Sequence, residues 1–247
     1  MRTSKKGFST LALLSAAVPA LFAAAPALAQ DSGPPSDVTV TGGASLVSDY
    51  RFRGASFSAE DATVQGTINI NHSSGVYLGT WASGLEDSAA YGHRALVAAD
   101  QLDENIDVGL LYYAYPNGHA VTDSNYFEPY ASIKTTIGPV TAKVGAAYAW
   151  DQSAIGSNDN IYVYTDLGLG IPATPVSLNA HLGYSDGSLT YGAGNYTDWS
   201  IGADLALGHG LTAGVKYIDT DLNNFSGIPA TDTLYDATVL FTLGVSF

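Results

Sequence analysis

The chain has 247 residues, nine Lys or Arg against 23 Asp or Glu, a formal net charge of −14 and no cysteine. The acid excess excludes nucleic acid as a natural partner, because neutralising phosphates needs clustered cations. Without cysteine there is no disulfide, thiol chemistry or thiolate-bound metal.

The first segment reads as a cleaved secretory signal, residues 1–29. Arg2, Lys5 and Lys6 precede an apolar Ala/Leu-rich run over 11–25, and Ala27-Leu28-Ala29 offers a small-x-small cleavage site. That run is short for a spanning helix and contains Pro19. The mature chain would start at Gln30 with a short leader, 30–37, and keep six Lys/Arg against 23 Asp/Glu, a net charge of about −17.

From residue 38 to 247 the sequence alternates with period two, the mark of strands with one wet and one apolar face. In the first predicted strand, 38–53, Val38, Val40, Ala44, Leu46, Tyr50 and Phe52 share one phase. Thr39, Thr41, Ser45, Asp49, Arg51 and Arg53 share the other. Further strands are predicted over 62–70, 76–83, 93–100, 106–112, 126–135, 140–150, 161–169, 176–184, 197–207, 211–217 and 235–247, twelve in all. Links after the even-numbered strands are short, and those after the odd-numbered ones are longer and rich in Gly, Ser, Asn and Asp. Such sorting by parity is the pattern of a transmembrane barrel with short periplasmic turns and long extracellular loops.

Charge placement agrees. All six mature cations (Arg51, Arg53, Arg94, Lys134, Lys143, Lys216) fall on the polar phase or at its rim, with Asp49, Asp100, Asp107, Glu128, Asp166, Asp204 and Asp236. The apolar phase carries no charge, as expected where Arg or Lys facing lipid at mid-bilayer costs about 2–4 kcal/mol. Tyr50, Phe52, Tyr112, Tyr148, Trp150, Tyr184, Trp199, Tyr217 and Tyr235 cluster towards the long loops and read as an outward interfacial girdle. The fold class expected is all-β, a transmembrane antiparallel up-and-down barrel of about twelve strands; a soluble all-β fold would have no reason to sort its loops.

Residues 45–70, SLVSDYRFRGASFSAEDATVQGTINI, open with an S-D-Y-x-x-R-G stretch followed by a Q-G strand. GVYLGTWAS (75–83), LYYAYP (111–116) and NYFEPY (125–130) follow in order. This series resembles the TorF-like family of proteobacterial outer-membrane porins. The resemblance implies an outer-membrane barrel with a pore function in a Gram-negative bacterium, and it brings no substrate and no assigned functional residues.

No G-x-S-x-G, P-loop or dinucleotide fingerprint is present. His72 stands beside Ser73 and Ser74, but sequence adjacency is not triad geometry. His93, His119 and His209 lack partners at catalytic or metal spacing, and His181, on the inward phase, fits a structural hydrogen bond. Asp219-Thr220-Asp221 is the best acidic loop candidate for a divalent ion, against a plainly solvated surface. No enzyme activity, cofactor or metal is expected.

The expected function is passive diffusion of small hydrophilic solutes or ions through a narrow, charge-lined lumen, with Asp49, Arg51, Arg53, Lys143, Asp166, Asp204 and Lys216 as pore-lining candidates. The arginines would either filter solutes at the outer mouth or pair with carboxylates of neighbouring strands and stiffen the wall. A separate plug domain has no room. The alternative is a non-conducting structural or adhesive barrel working through its acidic loops. Expected partners are outer-membrane lipid and lipopolysaccharide, small solutes or ions, and the barrel-assembly machinery. The last would read a closing strand that ends on Phe247.

Overall fold

In the computed structural model, residues 37–84, 94–103 (as backbone only), 105–115, 125–222 and 233–247 are described. The predicted signal (1–29), the leader up to residue 36, and Glu86, Asp87, His93, His119 and Asp123 lie outside the described residues, as do the side chains of Arg94 and Asp100.

Alternation becomes a wall of twelve antiparallel strands. These are β1 (Val38–Val47), β4 (Thr63–His72), β5 (Val76–Ser83), β6 (Arg94–Asp103), β7 (Ile106–Ala114), β8 (Tyr126–Ile137), β9 (Val140–Gln152), β10 (Asn158–Gly170), β11 (Val176–Gly187), β12 (Asn195–Gly208), β13 (Leu211–Thr220) and β14 (Thr238–Ser246). Each pairs with its neighbours in sequence, and β1 closes the ring against β14, pairing Gly43–Val47 with Thr242–Ser246. Phe247 extends that seam by exchanging backbone hydrogen bonds with Gly42 at 3.0 and 3.1 Å. Its ring lies where a Cβ on Gly42 would stand, so a glycine is needed there.

On the strands whose side chains are described, one phase faces outward and is predominantly apolar. On β9 and β10, Val144, Tyr148, Trp150, Ile161, Val163 and Leu167 are all at least 40% exposed, while Lys143, Ala147, Asn160, Tyr162, Tyr164 and Asp166 on the other phase are each 9% or less. A protein in water would bury the first set and expose the charges, so this inversion defines a barrel whose solvent is lipid. Tyr112, Phe127 and Trp150 stack on one another near the long-loop end of that face, with centroids 4.6 and 6.1 Å apart.

The first predicted strand is corrected. β1 stops at Val47, and the chain turns into the lumen as a two-stranded hairpin, β2 (Arg51–Phe52) and β3 (Ala55–Ser56), before β4 resumes the wall. Arg53 and Gly54 form the two-residue turn with φ of 48° and 87°, the two positive values of a type I′ hairpin. The wall does not miss the excised residues, because Val47 pairs directly with Thr63.

Candidate functional site

The hairpin crosses the outer half of the lumen and is fastened at both ends. At its base Asp49 accepts hydrogen bonds from the hydroxyls of Ser56 (2.6 Å) and Ser58 (2.9 Å) and pairs with Arg51 Nε at 2.5 Å. Arg51 Nη1 also donates to the carbonyls of Leu234 and Asp236, 3.0 Å each, tying the hairpin to the segment that leads into β14. At the tip Arg53 makes a bidentate pair with Glu128, Nη2 to the two carboxylate oxygens at 2.9 and 2.8 Å. Glu128 sits on β8, five strands from β1 round the ring one way and seven the other, so the pair spans the lumen.

The tip is enclosed. The Arg53 guanidinium lies 4.0 Å from the centroid of the Tyr162 ring, and Tyr113 donates to Glu128 Oε2 at 3.0 Å. A Cβ at Gly54 would stand 2.9 Å from Thr220 Cβ and 3.1 Å from Asp198 Cβ, so the tip touches the β12–β13 wall as well. Burial works most strongly against the charge of Arg53, but the Glu128 carboxylate and the surrounding tyrosines together outweigh it and hold the guanidinium above its ordinary value. Around the hairpin Val47, Tyr50, Trp81, Tyr113, Tyr126, Ala149 and Ile155 form a buried apolar cluster, joined by Phe52 and Phe57.

Two residues assigned to the outward girdle are therefore inside: Tyr50 is 1% exposed, and Phe52 packs in the inner cluster. Tyr235 lies before β14 and stacks on Tyr191 at 5.4 Å, and Asp236 contributes its carbonyl rather than a place on a strand phase. Alternation misled here because the hairpin keeps the parity of β1 while leaving its plane. Of the pore-lining candidates, Asp49, Arg51 and Arg53 stand on this inner hairpin and not on the wall. Their partners belong to the hairpin and the loop after it, to the segment leading into β14, and to the far side of the ring.

The other candidates lie on the inward phase nearer the short turns. Asp166 is hydrogen-bonded to His181 Nδ1 at 2.6 Å, and His181 Nε2 lies 2.8 Å from the Tyr162 hydroxyl and 3.1 Å from Asp198. Asn179 donates to Asp204 at 2.6 Å. Lys143 sits 5.5 Å from the centroid of Tyr164, and Lys216 projects inward between the outward Val215 and Tyr217. A second carboxylate station is Asp107, which accepts from Tyr77 (3.1 Å) and Tyr130 (3.2 Å), themselves hydrogen-bonded at 2.6 Å.

Inward rings lie along the wall because glycines on adjacent strands make room. A Cβ on Gly145 would overlap the Tyr164 ring, and one on Gly183 would overlap the Tyr162 hydroxyl. Tyr162, Tyr164 and His181 are consequently near-parallel, with interplanar angles of 23–29°. Sequence reasoning put Glu128 on the polar phase without seeing its role, and it missed Asp198, Tyr162, Tyr164, Ser56 and Ser58. One signal was available: Glu128 is the sole glutamate within a predicted strand.

The remaining candidates have local roles. His72 Nδ1 meets the Ser74 hydroxyl at 2.8 Å and the Ser74 amide at 3.1 Å on an exposed turn, which makes it a turn-forming contact. Asp219 accepts from the Tyr217 hydroxyl (2.9 Å), and Asp221 from the Thr197 amide (2.6 Å). Among the described residues no group of three or more His, Asp or Glu is placed to hold a metal ion.

A closed ring, an apolar outer phase and a polar, charged inner phase define a transmembrane β-barrel of the bacterial outer membrane. More particularly, the chain belongs to the family described as "Bacterial protein of unknown function (Gcw_chp)", whose model matches residues 31–247. No curated protein matches the sequence. Solved structures similar to it include the KdgM porin (6% identity, TM-score 0.48, covering 85% of this chain and 98% of that one). Others are the outer membrane channel DcaP of Acinetobacter baumannii (10%, 0.44, 85% and 97%) and the COG4313 outer membrane channel from Pseudomonas putida F1 (13%, 0.43, 87% and 96%). At such identities and scores no function transfers, and the class of the protein rests on its own strand order and outer face.

Proposed function

We propose that the protein is a narrow porin-like channel for passive diffusion of small hydrophilic solutes or ions, with the inner hairpin as its constriction. The observation that carries this reading is the wall below the hairpin, where Lys134, Lys143, Asp166, His181, Asp204 and Lys216 all face inward. Polar, charged side chains along that stretch of wall suit a water-filled lumen. The TorF-like motifs support the same reading, since they include both the hairpin (S-D-Y-R-F-R-G) and its partner (N-Y-F-E-P-Y). Twelve strands lie between the eight whose interior is filled by side chains and the sixteen that leave an aqueous channel. Export through the signal 1–29 and recognition of the strand ending at Phe247 by the assembly machinery belong to this proposal.

A second reading, a non-conducting barrel, is favoured by the buried cluster around Tyr50, Trp81 and Tyr113, which occupies the outer half of the lumen. Planar-bilayer recording of the refolded mature chain separates the two. Discrete conductance steps with a defined reversal potential support the channel; a silent bilayer holding demonstrably folded barrel overturns it in favour of the closed form.

A further inference from the structure

Among the described residues, the carboxylates Asp107, Asp166, Asp198 and Asp204 of the inward wall are hydrogen-bonded by donors other than lysine. Asp107 takes two tyrosine hydroxyls, Asp166 takes His181, Asp198 takes His181 and Tyr162, and Asp204 takes the Asn179 amide. The lysines are left over: among the described residues no ion pair or hydrogen bond involves Lys134, Lys143 or Lys216.

Two of them are direct neighbours. Lys134 of β8 and Lys143 of β9 are cross-strand partners on the inward phase, an arrangement in which like charges repel. Lys143 is 7% exposed, and the carboxylates of Asp166 and Asp107 act on its ammonium as counter-charges without forming a direct ion pair with it. Its ammonium lies 5.5 Å from the centroid of the Tyr164 ring, with Asp166 directly across the ladder on β10 and hydrogen-bonded to His181. Lys216 reaches inward four strands further round the wall.

We infer that Lys134 and Lys143 form a binding site for a small oxyanion, a carboxylate or phosphate, in the periplasmic half of the lumen. Two adjacent ammonium groups offer six N–H donors to an anion's oxygens, and a small anion would supply the direct partner that no carboxylate of the described residues gives the pair. The acidic outer loops do not oppose this, since their field is screened over about 8 Å at physiological ionic strength and the hairpin lies between. The inference deepens the channel reading by naming a solute class, but binding does not require conduction.

The test uses the refolded mature barrel in a phosphorus-free detergent, with inorganic phosphate as the probe and 31P line width as the readout at constant ionic strength. Wild-type protein should broaden the line saturably, unfolded protein should not, and Lys143→Arg should retain the effect. Lys134→Met, at a half-exposed position that leaves the fold intact, should cut the broadening at least threefold, and the Lys134→Met/Lys143→Met pair should abolish it. Absence of broadening by the wild type, or equal broadening by the folded double variant, overturns the site. A silent bilayer with phosphate broadening intact would overturn the channel and leave the site standing.

Discussion

Replacing Arg53 with alanine should open the barrel without unfolding it. The substitution removes one partner of a pair whose carboxylate, Glu128, is 0% exposed, and stripping one side of a buried ion pair typically costs about 3–5 kcal/mol. Loss of the guanidinium from the Tyr162 ring adds to this, at up to about 2 kcal/mol for a desolvated cation–π contact. Two effects reduce the total: Tyr113 still donates to Glu128, and lumen water can reach the freed carboxylate once the hairpin lifts. About 3 kcal/mol is therefore a fair figure for weakening the seated hairpin, a shift of roughly a hundredfold at about 1.4 kcal/mol per tenfold. The wall is spared, because Val47 pairs directly with Thr63 and the ladder runs past the excised segment. Single-channel recording should show Arg53→Ala with larger or longer openings than wild type. Glu128→Ala should behave likewise, and the double variant should show less than the sum of the two, since it leaves no orphaned charge. Conductance and open time equal to wild type in Arg53→Ala, with the barrel folded, would refute the account of the hairpin as a constriction.

Three further outcomes follow from the same geometry. Asp49→Asn should release the hairpin at its base, because Ser56, Ser58 and Arg51 converge on that carboxylate; protease nicking within residues 48–62 should rise tenfold or more, consistent with about 1.5–3 kcal/mol for charge-assisted hydrogen bonds. Gly145→Ala should swing the Tyr164 ring off the wall into the lumen, lowering conductance and reducing urea stability by about 1–3 kcal/mol, since a packed ring has to move. Val144→Lys places a charge on the outward phase at a position 58% exposed to lipid; urea unfolding in phospholipid vesicles should show a loss of about 2–4 kcal/mol. An unchanged midpoint there would mean that the outward phase is not the lipid face.

The parts of this protein that the membrane dictates could be read from the sequence, and the parts that it does not dictate could not. Lipid allows no charge on one phase and no unpaired backbone, so Val140 to Trp150 and Ile161 to Leu169 announce themselves as strands with a known inside. Lys143 and Asp166 were placed inward on that ground alone, as the structure has them. The lumen imposes no such rule. Tyr50 and Phe52 continue the apolar parity of β1, and nothing local distinguishes an aromatic facing lipid from one packed inside the barrel. What local signal there was lay in the turn: Arg53-Gly54 supplies the glycine of a two-residue hairpin, flanked by Asp49, Ser56 and Ser58 as ready hydrogen-bonding partners. Even so, the position of Glu128 opposite Arg53 depends on the ring closing, and a contact 75 residues apart in sequence is visible only once strand order and register are fixed. The hairpin also settles where selection can act on such a channel. With the wall fixed by the bilayer, the conformation of Arg53 at positive φ is a local strain of about 1–2 kcal/mol that the Glu128 pair must hold in place. A hairpin whose tip is held by one strained residue and one ion pair can be retuned there by single substitutions without rebuilding any strand.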